Sequence, residues 1–359
     1  MLVNAANTHP FFTFLKAYRM QLVECVPNFS EGNDRQRIRK ITEAMSSVKE
    51  TVILDVDIGA DANRTVVTLA GPPDAVIESG FLGIAEASLQ IDMRFQRGAH
   101  PRMGATDVFP IVPLQHIDMA ACVELSNRLA ARVGKELGIP VYLYENSAVS
   151  GNRKSLSSIR SGEFESLKEK IINPAWKPDF GPSALHETAG AVAIGARPLL
   201  IAFNINLATR NLNIARKIAG DIRESGRRIR QGSVWVRVPG LLKNCKAIGW
   251  EMPGYGLTQV STNLTRYSHT PPHQVYETCR DLALKYGTRV AGSELIGMIP
   301  KEALLMAGRH YADHTAENIE ENELIALAIR TMGMQSVRPF EPRQKILEYR
   351  IHELLQISL

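Results

Sequence analysis

One segment of the 359-residue chain, RGAHPRMGATDV at residues 97–108, combines side chains that could move a proton and bind an anion. His100 precedes Pro101 and Arg102, and Asp107 lies near the end of the segment. An imidazole can accept and release a proton near neutral pH, because its unperturbed pKa is about 6.5. These neighbours on a glycine-containing loop predict that His100 acts as a general acid and base rather than as an exposed loop residue.

A second segment, LDVDIGADANRTV at residues 54–66, carries carboxylates and a guanidinium. Asp55 and Asp57 alternate with apolar residues, so they are expected on one face of a strand near its end. Asp57 either caps the turn at Gly59 or accepts a hydrogen bond from an imidazole and fixes its tautomer. Arg64 follows a short loop, where its guanidinium could hold a substrate carboxylate through two hydrogen bonds.

The elements that must position these residues have mixed helix and strand signals. In the first half, strands are predicted at 21–29, 51–57, 65–71, 108–114 and 141–144, and helices from about 34, at 72–90 and at 117–136. In the second half, strands are predicted at 190–195, 198–206, 233–238, 244–250, 258–264 and 288–292, and helices at 209–225, 273–286, 300–310 and 316–331. Some strands are too close together for a helical crossover. The fold class is therefore α/β (α+β), with mixed sheets and helices packed on one face.

Composition limits the class of protein. A content of 45% hydrophobic and 22% charged residues is typical of a folded chain, and the length favours two domains or subdomains. The sequence contains no apolar run near the roughly 20 residues of a membrane-spanning helix. Residues 1–19 lack the pattern of a secretory signal and are expected to be an extension before Met20. The four cysteines form no CxxC pair, which favours a reducing cytoplasm over a disulfide framework.

The net charge of +5 favours acidic partners, either nucleic acid or small anions. The basic cluster Arg227, Arg228 and Arg230 is interpreted as a solvated loop rather than a nucleic-acid patch. His310 and His314 could share a helix face, but without a third metal ligand or an HExxH motif we interpret them as helix surface. The sequence contains no Walker A motif, no GxGxxG before a helix and no GxSxG elbow, so nucleotide binding and a hydrolase nucleophile lack support.

Seven ordered segments resemble one family, glutamate formimidoyltransferase, which is the transferase module of formimidoyltransferase-cyclodeaminase. The resemblance extends from about Met20 to about Tyr349. The segments are LVECVPNFSEG (22–32), LDVDIGADANRTVVTLAGPP (54–73), RGAHPRMGATDV (97–108), PVYLYENSA (140–148), WKPDFGPS (176–183), LLIAFNINL (199–207) and QVSTNL (259–264).

The resemblance implies transfer of the formimino group from N-formimidoyl-L-glutamate to tetrahydrofolate, giving 5-formimidoyltetrahydrofolate and L-glutamate in histidine degradation. It implies that His100 is the acid/base residue, with Ala99 where relatives carry glutamate. It also implies two subdomains with a ligand channel between them, a homodimer, a cytoplasmic location and no metal, nucleic acid or membrane. We expect the subdomains to span 20–182 and 183–350, and we expect a monofunctional transferase without the cyclodeaminase.

The family's folate-binding segment corresponds to residues 181–190, at the end of a proline- and glycine-rich stretch. The residues implied to bind substrate there are Gly181, Pro182, Ser183, Ala184, Leu185, His186, Glu187, Thr188, Ala189 and Gly190.

The chemistry of this reaction fits the candidate residues. One histidine can take a proton from the attacking nitrogen and return it to the leaving nitrogen. Asp57 or Asp107 could stabilise the cationic amidine, and Arg64 and Arg102 could bind the carboxylates of glutamate and folate. Three alternatives remain open: formyl transfer between 5-formyltetrahydrofolate and glutamate, a non-catalytic folate-binding module, and an RNA-binding protein.

Overall fold

The computed structural model describes residues 20–312 and 319–356. Strands β1–β13 within these residues are Leu22–Cys25, Asn28–Phe29, Val52–Gly59, Arg64–Gly71, Thr106–Gln115, Val141–Leu143, Val192–Ala196, Ile201–Leu207, Arg227–Gln231, Val234–Val238, Cys245–Met252, Leu257–Leu264 and Val290–Ile296. Helices α1–α11 are Arg35–Ser46, Pro73–Gln90, Met119–Arg132, Leu156–Ile159, Leu167–Ile172, Leu212–Ile222, Pro272–Lys285, Lys301–Tyr311, Glu321–Thr331, Pro342–Lys345 and Leu347–Leu355. The predicted mixed α/β class is confirmed. The expectation for residues 1–19 and the predicted position of His314 lie outside the described residues.

The first sheet contains β1 to β7. Its order is β3, β4, the β1/β2 position, β5, β7 and β6, with β5, β6 and β7 running parallel and the other pairs antiparallel. The strand predicted at 21–29 is divided into β1 and β2 by Val26 and Pro27, because proline has no N–H to donate to a neighbouring strand. Both parts still pair with β4 and β5, so they occupy one position in the sheet.

One face of the first sheet is covered by α1, α2 and α3. Met45 of α1 packs so closely on α2 that a Cβ at Gly83 would overlap its side chain. Phe109 of β5 and Ile84 of α2 lie fully buried in the same core. These contacts make the sheet a rigid support for the loops at its edges.

The second sheet has the antiparallel order β11, β12, β8, β13. Alternate residues of β8, such as Phe203 and Ile205, are buried in a core that includes residues of α6 and α7. The intervening residue Asn204 and its cross-strand partner Glu294 are polar and nevertheless buried. One face of this sheet is therefore apolar, and the other carries polar side chains toward the first subdomain.

The transition between the two sheets comes later than predicted. β7 (Val192–Ala196) still pairs in parallel with β5 and β6, so the boundary expected after residue 182 must be moved to the connection before β8 at Ile201. The proline- and glycine-rich stretch that ends at residue 190 also belongs to the first subdomain, since Ala105 N–H donates to Ala189 O at 2.9 Å. Strand β7 pairs with β5 and β6 because parallel strands are buried inside a sheet. The proline and glycine content of the preceding stretch does not mark the subdomain boundary.

The last helix returns to the first sheet. Leu347 and Ile351 of α11 pack against Leu54 of β3 and Ala70 of β4 in a small separate core. Arg350 of the same helix donates to Leu54 O at 3.1 Å. The second half of the chain thus covers part of the first sheet's other face.

The predicted loop around Arg227 forms a strand instead. β9 and β10 make a two-stranded antiparallel hairpin, and Trp235 on it is 65% exposed. Arg230 lies directly opposite Trp235 across this hairpin. In the part of the chain that the structure describes, no helix has both the length and the apolar character to cross a membrane.

Candidate active site

The loop that carries His100 is held by Asn63. The backbone of Asn63 lies in the left-handed region, with φ of 46°, which asparagine tolerates better than most residues. Its Nδ2 donates to Arg97 O at 2.5 Å, and its Oδ1 accepts from Gly32 N–H at 2.9 Å. A Cβ at Gly98 would overlap the carbonyl oxygen of Ala62, so only glycine fits this approach. Three loops therefore meet beside His100.

The tautomer of His100 follows from one contact. Its Nδ1 lies 2.8 Å from the carbonyl oxygen of Pro101, and because a carbonyl only accepts, Nδ1 must carry the hydrogen. In the neutral ring Nε2 then keeps its lone pair. Such a nitrogen can remove a proton from a substrate without prior deprotonation.

The surroundings of His100 favour this neutral form. Burial, followed by the positive charges of Arg64 and Arg160, holds the pKa of His100 well below its ordinary value of 6.5. The charge of Asp107 and the hydrogen bond to Pro101 O act in the opposite direction but do not offset these effects. At neutral pH the imidazole is accordingly a base and not a cation.

Two arginines share one buried carboxylate beside His100. Asp107 on β5 is fully buried, and its Oδ2 accepts from Arg64 Nη1 at 2.6 Å and from Arg160 Nη2 at 2.5 Å. Its Oδ1 accepts from Met103 N–H at 2.9 Å, and Arg64 Nε donates to Asn28 Oδ1 at 2.9 Å. We call Arg64, Asp107 and Arg160 the arginine cluster.

The arginine cluster carries a net positive charge. Burial raises the pKa of Asp107, but Arg160 and Arg64 more than offset this and leave it below its ordinary value. Burial lowers the pKa of Arg64 to about 10, so its guanidinium remains charged at neutral pH. Two guanidinium groups with one carboxylate leave one positive charge available to an anion.

The second subdomain reaches His100 through Trp250 of β11. The two ring centroids are 5.7 Å apart with an angle of 71° between the planes, which is an edge-to-face arrangement. A neutral imidazole, the positively charged arginine cluster and an aromatic ring from the other subdomain therefore converge on one place.

The sequence of this chain matches two family models. Residues 22–197 match the formiminotransferase domain, N-terminal subdomain, and residues 202–352 match the formiminotransferase domain. The glutamate formimidoyltransferase of Thermoplasma acidophilum is 44% identical over 81% of this chain and 92% of its own length. That of Streptococcus pyogenes serotype M1 is 41% identical over 81% of this chain and 93% of its own length. The chain belongs to the formiminotransferase domain family.

A longer relative is similar to the same extent. The formimidoyltransferase-cyclodeaminase of Rattus norvegicus is 44% identical over 92% of this chain and 60% of its own length. The chain thus spans about 60% of the length of that relative. The two formiminotransferase matches meet between residues 197 and 202, where the structure passes from the first sheet to the second.

In this formiminotransferase domain, Asp57 has partners other than an imidazole. Its Oδ1 accepts from Arg338 Nη1 at 2.7 Å, and its Oδ2 accepts from Gly297 N–H at 3.0 Å. Lys345 Nζ bonds to Asp55 at 2.8 Å and lies 3.5 Å from Asp57. Asp57 therefore ties the first sheet to the second subdomain, and the expectation that it orients His100 is corrected, because both of its oxygens are engaged there.

Arg102 also differs from its expected role. Its Nη1 and Nη2 bond to Glu163 at 2.8 Å and to Glu165 at 2.6 Å. Its Nε donates to Gln96 Oε1 at 2.8 Å, and its side chain is only 7% exposed. These partners fix the loop that carries Arg160. The expectation that Arg102 binds substrate is therefore corrected, because Arg102 stabilises this loop instead.

Replacing Arg102 by alanine is expected to lower the free energy of unfolding by roughly 1–2 kcal/mol, mainly through the buried hydrogen bonds to Gln96. The two ion pairs add little, because the side chains of Glu163 and Glu165 are 41% and 53% exposed and water screens them. Urea denaturation followed by circular dichroism measures this loss. Arg94→Ala, which removes an exposed arginine paired with Asp92, is the control and should leave the urea midpoint unchanged. An unchanged midpoint for Arg102→Ala would contradict the supporting role.

The segment from Gly181 to Gly190 lies next to the His100 loop. Gly104, on that loop, and Gly190 form a bridge, and a Cβ at Gly104 would overlap the carbonyl oxygen of Ala191. Gly190 N–H donates to His186 O at 2.9 Å, and His186 Nδ1 accepts from Ala189 N–H at 3.1 Å. The beginning of the segment is exposed and its last two residues are buried. It presents a surface at the edge of the site while its end is fixed in the fold.

Sequence reasoning missed Arg160, Trp250 and Asn28. Arg160 lies in an irregular polar stretch after α4, and Trp250 comes from a different subdomain. Asp179 of the WKPDFGPS motif accepts from the buried Arg153 and from Leu143 N–H at 2.8 Å, and so fixes the stretch that leads to Arg160. Among residues 20–312 and 319–356, His, Cys, Asp and Glu form no group of three that could hold a metal.

Proposed function

We propose that this chain is a glutamate formimidoyltransferase that transfers the formimino group from N-formimidoyl-L-glutamate to tetrahydrofolate. The observation that carries the proposal is the neutral imidazole of His100, with Nε2 unprotonated, beside the positively charged arginine cluster. The names of the archaeal and bacterial relatives support the same reaction. The cytoplasmic location and the homodimer belong to the proposal through the family resemblance, and four buried free cysteines agree with a reducing compartment.

In the proposed reaction, N5 of tetrahydrofolate attacks the formimino carbon and forms a new C–N bond. His100 Nε2 takes the proton that N5 loses as the tetrahedral intermediate forms. The imidazolium then gives this proton to the glutamate nitrogen, and the C–N bond to glutamate breaks. Its lowered pKa makes His100 a weak base but a strong acid once protonated, which favours the second transfer.

The arginine cluster has a separate role in this mechanism. Arg64 and Arg160 are suited to bind a carboxylate of the glutamate donor, because they provide guanidinium groups that Asp107 neutralises only in part. Asp107 holds both groups in place and supplies the negative charge that stabilises the transient imidazolium. It is the better candidate of the two aspartates for charge stabilisation, since Asp57 is engaged with Arg338. The proposed mechanism includes no metal.

Assays of the purified protein with three donor and acceptor pairs test the proposal: N-formimidoylglutamate with tetrahydrofolate, N-formylglutamate with tetrahydrofolate, and 5-formyltetrahydrofolate with glutamate. N-formimidoylglutamate should give 5-formimidoyltetrahydrofolate and glutamate in equal amounts, followed by folate absorbance and by glutamate release. Turnover with N-formylglutamate alone, or transfer from 5-formyltetrahydrofolate to glutamate alone, would favour formyl transfer instead. Folate binding without turnover of any donor would indicate a non-catalytic module.

Tetrahydrofolate is expected to protect the segment Gly181–Gly190 from limited proteolysis, because this segment corresponds to the family's folate-binding stretch and lies beside the His100 loop. A glutamate-specific protease can cut after the exposed Glu187, and mass spectrometry measures the rate. Tryptic cleavage in the exposed hairpin at Arg228 is the internal control and should not change. Equal cleavage after Glu187 with and without folate would count against folate binding there.

A further inference from the structure

Gln259 of β12 has an amide whose orientation is fixed by its partners. The residue is fully buried, and its Nε2 donates to Asn206 Oδ1 and to Glu294 Oε2, each at 2.8 Å. Because both N–H groups are used, Oε1 must point the other way, where it accepts from Trp250 Nε1 at 2.7 Å. The indole N–H of Trp250 is thereby held in one direction.

Glu294, which accepts a hydrogen bond from Gln259, is itself anchored to the first subdomain. Arg338 donates to Glu294 Oε1 through Nε at 2.8 Å and through Nη2 at 2.6 Å. Its remaining Nη1 donates to Asp57 Oδ1 at 2.7 Å. A continuous chain of hydrogen bonds therefore leads from Asp57 through Arg338, Glu294 and Gln259 to Trp250.

Trp250, at the end of this series of hydrogen bonds, contacts His100 of the first subdomain. Its ring lies edge-to-face with the imidazole, with 5.7 Å between the ring centroids, and covers that side of the imidazole. The charged groups that act on His100 from its own subdomain are Arg64, Arg160 and Asp107. Trp250 is the contribution of the second sheet to the surroundings of the ring.

We propose that Gln259 is a positioning residue: through the indole N–H of Trp250 it holds that ring against His100 and so fixes the orientation and dryness of the imidazole. This inference rests on the proposed acid/base role of His100. Gln259 does not touch the reacting atoms, and its effect passes entirely through Trp250. Mispositioning of a catalytic group by about 1 Å can cost up to about 10²-fold in rate, so a loosened indole has a measurable effect.

Gln259→Leu keeps a side chain of similar size and removes the acceptor of the Trp250 N–H together with the donors to Asn206 and Glu294. We expect kcat to fall roughly tenfold with KM for both substrates within about twofold, because orientation matters in the transition state and not in ground-state binding. We also expect the pKa of His100, measured by imidazole NMR and assigned with His100→Ala, to rise as water reaches the ring. This NMR titration needs no substrate. It therefore tests the positioning role even if the wild-type protein fails to transfer a formimino group.

Trp250→Phe keeps an aromatic ring, although a smaller one, and removes the N–H that Gln259 holds. It should reproduce the loss in kcat and the rise in the pKa of His100, and the double variant should be no worse than either single variant. Trp235→Phe, on the exposed hairpin, is the matched control and should behave as wild type. Additive losses in the double variant would overturn the proposal. So would wild-type kcat and His100 pKa in Trp250→Phe, and this variant decides the question if Gln259→Leu does not fold.

Discussion

Replacing His100 by alanine is expected to lower kcat by about 10²–10⁴-fold while the affinity for tetrahydrofolate stays within a few fold of wild type. The imidazole transfers a proton during the reaction. It therefore stabilises the transition state and contributes little to substrate binding in the ground state. Steady-state kinetics with both substrates, together with folate titration by fluorescence, separate the two effects. His100→Asn should restore little activity, because an amide can replace one hydrogen bond but cannot take up a proton.

The pH dependence of the wild-type enzyme follows from the same residue. A general base must be unprotonated, and the pKa of His100 lies well below 6.5, so kcat/KM should stay high as the pH falls through the usual histidine range. The decrease should appear only at lower pH and should be absent from the residual activity of His100→Asn. Near-normal turnover of His100→Ala, or a defect that disappears at saturating folate, would contradict the acid/base role.

Replacing Asp107 by alanine is expected to lower the free energy of unfolding by about 3–5 kcal/mol. The variant leaves Arg64 and Arg160 buried with no carboxylate between them, and it also removes the acceptor of Met103 N–H. Removing one partner of a buried ion pair costs far more than the pair itself contributes, because the remaining charge stays desolvated. Urea denaturation at pH 7 measures the loss.

The control for Asp107→Ala is Asp74→Ala, whose carboxylate is 82% exposed and pairs with Arg128 on the surface. Its urea midpoint should remain close to that of wild type, since water screens such pairs. The pKa of Asp107 is depressed in the folded state, so its stabilisation is present above its unfolded pKa of about 3.9 and is lost as the pH falls below it. Equal urea midpoints for both variants would show that the arginine cluster does not stabilise the fold.

Local patterns in the sequence were sufficient to predict most elements and part of the site. The segment around His100 and the loop before Arg64 each carry their own turn residues, so both could be recognised as candidate site segments, whereas the ion pair between Arg64 and Asp107 was not predicted. Alternation correctly placed Asp55 and Asp57 on one face, where Lys345 contacts both. These features depend on residues close together in the chain or in adjacent strands.

The remaining features depend on contacts that no local pattern encodes. Alternation cannot say what lies opposite Asp57, and the answer, Arg338, comes from the other end of the chain. Arg102 was predicted to bind substrate because a guanidinium can pair with a carboxylate of the substrate or of the protein. In the structure it pairs with two carboxylates of the protein, Glu163 and Glu165. Trp250 had no signal at all before the second sheet was placed against the first.

The packing of α11 on the first sheet has a consequence for synthesis on the ribosome. Leu54 and Ala70 belong to strands made early, whereas Leu347 and Ile351, which cover them, emerge after nearly all of the described chain. Leu54 and Ala70 of the first subdomain therefore remain exposed to water until α11 leaves the exit tunnel of the ribosome.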